Sequence, residues 1–178
     1  YSQEWLISTI QDLTYDHKNL GILLYIDSPG GGVYESDEVY LELLDYKEHS
    51  GKPVWAYIGT LAASGGYYIA CAADYIIANR NCLTGSIGVV AGQSVDFSEF
   101  LAKHGIKVTT FTAGSNKDML GINTPVTQEQ AEIMQSIADE CYDQFIKIVS
   151  DSRNLTLQQV TNLADGRIYT ATQALNKG

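Results

Sequence analysis

The chain of 178 residues is long enough for one domain with a substantial core, and its apolar fraction of 45% is ordinary for a globular protein. Its formal net charge of −10 argues against nucleic acid as a partner, because phosphates demand a basic surface. Cys71, Cys82 and Cys141 show no CxxC spacing, so neither a disulfide framework nor a zinc site is indicated, and no metal or cofactor is expected.

Apolar segments typical of buried strands alternate along the chain with segments typical of helices, which predicts a layered α/β domain. The predicted strands cover residues 21–27, 53–58, 75–78, 86–90 and 106–112. The predicted helices cover residues 3–14, 36–47, 64–73 and 97–103. After Pro125 only helices are predicted, with Thr-x-x-Gln capping boxes at Thr127, Thr156 and Thr170. The helix predicted to begin at Thr127 has an apolar stripe of Ile133, Ile137, Cys141, Phe145 and Ile148.

A glycine-rich loop follows the first predicted strand and reads DSPGGGV over residues 27–33. Pro29 fixes its own φ, while the three glycines permit positive φ and a close approach of the backbone. Free amide hydrogens in such a loop suit a substrate carbonyl or a developing oxyanion. A plain tight turn is the alternative, and the GxxxxGK[ST] pattern of a phosphate-binding loop is absent.

Ser64 lies in the segment AASGGYY at residues 62–68, at a predicted turn from a strand to a helix. The segment is close to the nucleophile elbow of hydrolases, in which small residues allow a sharp turn that exposes a serine hydroxyl. The amide of Gly65 would then point into the same space and join the amide of Gly31 as an oxyanion hole. The alternative is that these small residues only let a helix pack tightly against the sheet.

Lys117 lies in a polar loop that reads GSNKD at residues 114–118. A serine is a poor nucleophile until a neighbour takes its proton, and a lysine can take it once desolvation keeps the amine neutral. No histidine is suitably placed, since His17, His49 and His104 lie at predicted helix ends. These residues favour a serine/lysine dyad over a Ser-His-Asp triad, with a solvated surface lysine as the alternative.

Four segments together resemble the signal peptide peptidase A family of serine/lysine peptidases, whose fold is similar to that of ClpP and the crotonases. They are DSPGGGVYES at residues 27–36, AASGGYYIACAAD at 62–74, LTGSIGV at 83–89 and GSNKD at 114–118. The likeness continues to residues 164–169 and so covers nearly the whole chain. It implies a ClpP/crotonase-like α/β fold of repeated ββα and βαβ units, with a layered, mostly parallel sheet and C-terminal helices.

The resemblance implies that Ser64 is the nucleophile, that Lys117 is the general base and that Ser86 orients the lysine amine. A turn serine that binds backbone is the alternative for Ser86. The resemblance also implies an oxyanion hole built from the amides of Gly31 and Gly65 beside Gly30. It further implies a ring-shaped homo-oligomer in which the serine of one protomer pairs with the lysine of its neighbour.

By the same resemblance, the substrates are residual signal peptides and other unfolded or membrane-associated peptides, on the extracytoplasmic side of a bacterial cell membrane. One peptidase catalytic domain is expected over residues 1–178. Because the chain does not begin with Met, we expect a fragment that lacks an N-terminal membrane anchor. Two alternatives remain, a crotonase-type acyl-CoA enzyme with the same two-amide oxyanion hole, and an inactive peptide-binding scaffold.

Overall fold

A computed structural model describes residues 2–178. The chain folds into two compact units. The first unit comprises the chain up to Gly88 together with Tyr142–Gly178, and the second comprises Val89–Cys141. The single catalytic domain expected over residues 1–178 stays a prediction. None of the helices within residues 2–178 has both the length and the apolar composition needed to cross a bilayer.

The described part of the first unit contains one five-stranded sheet. Its strands are β1 (Ile22–Ser28), β2 (Val54–Ala63), β3 (Tyr75–Ala78), β4 (Leu83–Gly85) and β5 (Ile168–Thr170). The long strand β2 is central, because it pairs in parallel with β1 on one side and with β3 and then β4 on the other. Only β5 runs antiparallel to its neighbour, so the predicted mostly parallel sheet is confirmed.

Helices cover one face of this sheet, and further helices lie in the C-terminal part of the chain. They are α1 (Gln3–Tyr15), α2 (Val33–Ser50), α3 (Gly65–Ala70), α5 (Gln128–Arg153), α6 (Leu157–Leu163) and α7 (Ala171–Leu175). A short helix, α4 (Ser98–Lys103), belongs to the second unit, and α5 runs from the second unit into the first. The capping boxes predicted at Thr156 and Thr170 are both formed, and the same reciprocal bonds join Thr127 and Gln130.

The core of the first unit lies between the sheet and the helices α1, α2 and α3. Val54, Ala56 and Ile58 alternate along β2 and are at most 1% exposed. Leu43 and Tyr46 of α2 pack into the same cluster and are fully buried. The helix begins at Val33, three residues before its predicted start at residue 36, and its N-cap is Gly32.

Two predicted strands are absent from the described structure. Residues 86–90 are not a strand, because Ser86 turns to φ 52° and its amide donates to the carbonyl of Arg167, which ends β4 at Gly85. Residues 106–112 have no strand neighbour, and β-branched side chains alone do not stabilise an isolated strand. The stripe predicted on α5 is also partly wrong, since Ile137 is 46% exposed, whereas Ile146 and Val149 join Phe145 in the core.

Candidate active site

The turn between β2 and α3 places Ser64 in a strained conformation. Its φ is 52° and its ψ is −123°, a region that residues with a side chain rarely adopt. Ala62 and Ala63, just before the turn, are almost fully buried. Their small side chains allow the backbone to turn sharply at this point. The side chain of Ser64 makes no capping hydrogen bond to α3, so its hydroxyl is not used by the helix. This geometry is that of the predicted nucleophile elbow.

The glycine loop after β1 packs directly against this elbow. Gly30 has a φ of 110°, and a Cβ atom placed on it would lie 2.8 Å from the Ser64 Cβ atom and 2.8 Å from the Gly65 amide nitrogen. A Cβ atom on Gly65 would likewise lie 3.1 Å from the amide nitrogen of Gly31. Only glycine permits so close an approach of the two backbones. The loop and the elbow are therefore in van der Waals contact through main-chain atoms.

The amides of Gly31 and Gly65 both lie at this contact. Gly65 is the first residue of α3, where amide hydrogens have no acceptor within the helix. Among the described residues, neither amide has a hydrogen bond to a backbone carbonyl. Two unpaired donors beside one hydroxyl are the arrangement that stabilises a developing oxyanion. The structure thus brings the loop glycines and the elbow together, and their role as an oxyanion hole stays a prediction.

Ser86 lies beside Ser64 because of the register between β2 and β4. Ala63 pairs with Gly85 in parallel strands, so the next residues of the two strands, Ser64 and Ser86, leave the sheet side by side. Ser86 also has a positive φ, 52°, and follows Gly85 with a φ of 92°. Backbone bonds hold this turn from both sides, since the Ser64 amide donates to Gly85 and the Ser86 amide donates to Arg167.

A partly buried polar network around Tyr68 supports the helix that follows the elbow. The Tyr68 hydroxyl donates to Asp37 at 2.6 Å and accepts from the Gln144 amide at 2.6 Å, which joins α3 to α2 and α5. Burial and the bond to Asp37 raise the pKa of Tyr68, so the phenol stays protonated as a donor. Sequence reasoning missed this network, because the three partners are far apart in the chain.

The hydroxyl of Ser36 is a second group that the sequence did not single out for the site. It donates to the carbonyl of Gly32 at 2.9 Å and would be among the first atoms met by a Cβ atom on Gly65. A surface cavity of about 210 Å³ opens at this point. Its lining includes Ser28, Gly30, Gly31, Ser36, Gly65 and Gly66. The main-chain donors therefore border a space that a ligand could enter.

Lys117 belongs to the second unit. It is exposed, and it lies in a turn where its amide donates to the carbonyl of Gly114 at 3.2 Å. Within residues 2–178 no acidic side chain forms an ion pair with its amine. The neighbouring Asn116 donates to Glu129 at 3.0 Å and ties this turn to the start of α5. The predicted pairing of Lys117 with Ser64 stays a prediction.

The chain belongs to peptidase family S49. The model of that family matches residues 46–178, which include Ser64, Ser86 and Lys117. A protein of Enterococcus faecium, provisionally named signal peptide peptidase SppA, is 35% identical over all 178 residues. The serine protease SPPA of Arabidopsis chloroplasts is 34% identical over 98% of the chain. The predicted family is thereby confirmed.

The chain spans only part of these relatives, 51% of the Enterococcus protein and 26% of the Arabidopsis protein. Among solved structures, a ClpP1 mutant of Listeria monocytogenes matches with a TM-score of 0.65 and 15% identity. That match covers 99% of this chain and 80% of the ClpP1 chain. The ClpP-like fold implied by the resemblance is therefore confirmed.

Proposed function

We propose that this chain is the catalytic domain of a serine endopeptidase that works through a Ser64–Lys117 dyad. The observation that carries the proposal is the strained elbow of Ser64, against which the loop of Gly30 and Gly31 and the amide of Gly65 converge. A strained serine with a free hydroxyl and two unpaired amides beside it matches the needs of acyl transfer.

The reaction proceeds through an acyl-enzyme. Neutral Lys117 takes the hydroxyl proton of Ser64 as Oγ attacks the peptide carbonyl, and the resulting oxyanion accepts bonds from the amides of Gly31 and Gly65. The ammonium of Lys117 then protonates the leaving amine, and the peptide C–N bond breaks. A water attacks the acyl carbon and gives its proton to Lys117, which returns a proton to the departing Oγ of Ser64. The hydroxyl of Ser86 accepts a hydrogen bond from the amine of Lys117 and limits the orientations of that amine.

The proposed substrates are residual signal peptides and other unfolded or membrane-associated peptides, as the family resemblance suggests. An extended peptide adds to an open edge of the sheet near Gly30–Gly32, where backbone donors favour it. The protein assembles into a ring-shaped homo-oligomer in which neighbouring protomers share the dyad. It acts at the extracytoplasmic side of a bacterial cell membrane.

A fluorophosphonate probe tests the serine, because it forms a covalent adduct only with an activated hydroxyl. We expect labelling of the wild-type protein, loss of labelling in Ser64→Ala, and hydrolysis of an apolar peptide that is lost in the same variant. A matched control is Ser98→Ala, which removes a hydroxyl at the start of α4 and keeps both activities. Turnover that is unchanged in Lys117→Ala would contradict the assignment of the base.

A further inference from the structure

Six apolar and aromatic side chains cover the face of the sheet that is turned away from the helices. We call this surface the aromatic face; it consists of Leu23, Tyr25, Trp55, Tyr57, Tyr75 and Ile77. The strand register aligns them in two rows of three across β1, β2 and β3. One row is Leu23, Trp55 and Tyr75, and the other is Tyr25, Tyr57 and Ile77.

Four members of the aromatic face form two pairs of rings in contact. The rings of Trp55 and Tyr75 lie 5.5 Å apart, and those of Tyr25 and Tyr57 are stacked at 5.8 Å. The ring of Tyr25 also lies over Gly59, where a Cβ atom would come within 2.7 Å of its Cζ atom. The rings therefore form a layer of two contacting pairs on this face of the sheet.

This layer is largely open to solvent. Leu23 is 67% exposed, Tyr25 68% and Tyr75 64%, while Trp55 and Ile77 are exposed by 44% and 42%. Since a large aromatic side chain can bury about 150–250 Å², the layer exposes on the order of 700 Å². An apolar patch of more than a few hundred Å² on a soluble chain marks an interaction site. The area approaches the ~800 Å² that each partner buries in a stable protein interface.

The chemistry of the aromatic face favours a protein partner over a bilayer. None of its six side chains is Asp, Glu, Lys, Arg or His, and the formal charge of the whole chain is −10. A surface that binds anionic lipids needs basic residues around its apolar groups, and the nearest charge along β1 is the carboxylate of Asp27. An extended peptide is also a poor match, because it pairs with a strand edge, not with a sheet face.

The same chemistry favours a second copy of this chain. Interfaces between identical subunits are rich in Tyr and Trp and poor in charged residues at their centre. Because the chain has ten excess negative charges, burying a surface without charged side chains brings two copies together with the least added repulsion. We propose that the aromatic face is a subunit interface, packed in the assembled particle against a neighbouring copy. This proposal rests on the homo-oligomer proposed above, but not on which residues are catalytic.

Charge substitutions within the face test the proposal through the mass of the particle. Leu23→Glu and Tyr75→Glu each place a carboxylate in the proposed interface. The matched controls are Leu175→Glu and Tyr15→Glu, at residues that are 81% and 79% exposed and lie on helices outside the face. At equal concentration, light scattering after size exclusion should give a smaller particle for the two face variants and the wild-type mass for both controls.

The fluorescence of Trp55 supplies a measurement that needs no disruptive variant. The chain has two tryptophans, so Trp5→Phe leaves Trp55 as the only indole. We expect its emission to shift to longer wavelength on dilution, over the concentration range in which the particle mass falls. Emission that stays constant while the mass falls would place Trp55 outside the interface and overturn the proposal.

The outcomes separate this inference from the proposed function. A wild-type oligomer whose mass is unchanged in Leu23→Glu and Tyr75→Glu overturns the assignment of this face and leaves the ring intact. A wild-type chain that is monomeric at every concentration overturns both the ring and the interface. Because the Ser64→Ala protein can be measured in the same way, a failure of the catalytic assignment would not change either result.

Discussion

The amide of Ser64 donates a hydrogen bond of 2.9 Å to the carbonyl of Gly85, across the carboxyl ends of β2 and β4. The bond fixes the strained elbow to a neighbouring strand that itself ends in two residues of positive φ, Gly85 and Ser86. Strained residues persist only where surrounding structure holds them, and they cluster at functional sites. Two strained serines side by side are therefore consistent with the catalytic roles proposed for Ser64 and Ser86.

Two substitutions of Ser86 distinguish the effect of its hydroxyl on activity from the effect of its strained backbone on stability. A residue with a side chain at φ 52° carries a conformational cost of about 1 kcal/mol that glycine avoids. We expect Ser86→Ala and Ser86→Gly to lower kcat by a similar factor of about 10 or more, since both lose the hydroxyl that is proposed to orient the lysine amine. Their stabilities should differ, with Ser86→Gly at least as stable as Ser86→Ala in urea unfolding. Full activity in Ser86→Gly would show that the hydroxyl has no catalytic role.

The two loop glycines should respond very differently to alanine. Gly30→Ala forces a Cβ atom to within 2.8 Å of Ser64 and Gly65 at a φ of 110°, whereas a Cβ atom on Gly31 meets nothing within 4 Å. We expect Gly30→Ala to lower the free energy of unfolding by about 1–3 kcal/mol and to abolish peptide hydrolysis. Gly31→Ala should change stability by less than about 0.5 kcal/mol. Equal stabilities in urea would contradict the close packing of loop and elbow.

A mixing experiment tests whether the dyad is shared between protomers. Neither Ser64→Ala nor Lys117→Ala should hydrolyse peptide alone, but an equal mixture that exchanges subunits should recover about one quarter of wild-type activity. That fraction is expected because each shared site draws one residue from each of two randomly chosen neighbours. The control mixes Ser64→Ala with the double variant and should stay inactive. Subunit exchange is first demonstrated by mass. If activity then fails to recover, each protomer holds its own dyad.

The sequence predicted the parts of the site that are local in the chain. The elbow at Ser64 and the loop at Gly30 each depend on a short run of small residues, whose steric freedom can be inferred without neighbours. The contact between them follows from the parallel order of β1 and β2, which alternating strands and helices already imply. The same holds for the capping boxes of the C-terminal helices, which need only residues three apart.

The parts that the sequence did not predict depend on residues far away in the chain. The end of β4 at Gly85 is fixed by the hydrogen bond from the Ser86 amide to the carbonyl of Arg167, about eighty residues later in the chain. Residues 106–112 have the composition of a strand, but a strand forms only where another strand offers hydrogen bonds. The network of Tyr68 also depends on distant residues, because Tyr68 and its two partners, Asp37 and Gln144, belong to three different helices.

Asp74 provides a test of the fold at the opposite end of β2. Its carboxylate accepts from the Val54 amide at 2.9 Å and pairs with the Lys47 ammonium at 2.7 Å, so it anchors the start of the central strand. Partial burial raises the pKa of Asp74, but the bonds from Lys47 and Val54 outweigh this and lower it below its usual value. We expect Asp74→Asn to lower the free energy of unfolding by about 1 kcal/mol at pH 7.

The pH dependence of that loss follows from the direction of the shift. Because the pKa of Asp74 is lower in the folded state, its stabilising effect is fully present above the ordinary carboxyl pKa and disappears as the pH falls through the folded value. Urea unfolding at pH 7 and pH 3 should therefore show a smaller difference between wild type and Asp74→Asn at pH 3. The matched control is Asp151→Asn, which breaks an exposed pair with Lys147 and should cost less than about 0.5 kcal/mol at either pH. A difference for Asp74→Asn that does not shrink in acid would show that packing, not the charge, holds β2 at this point.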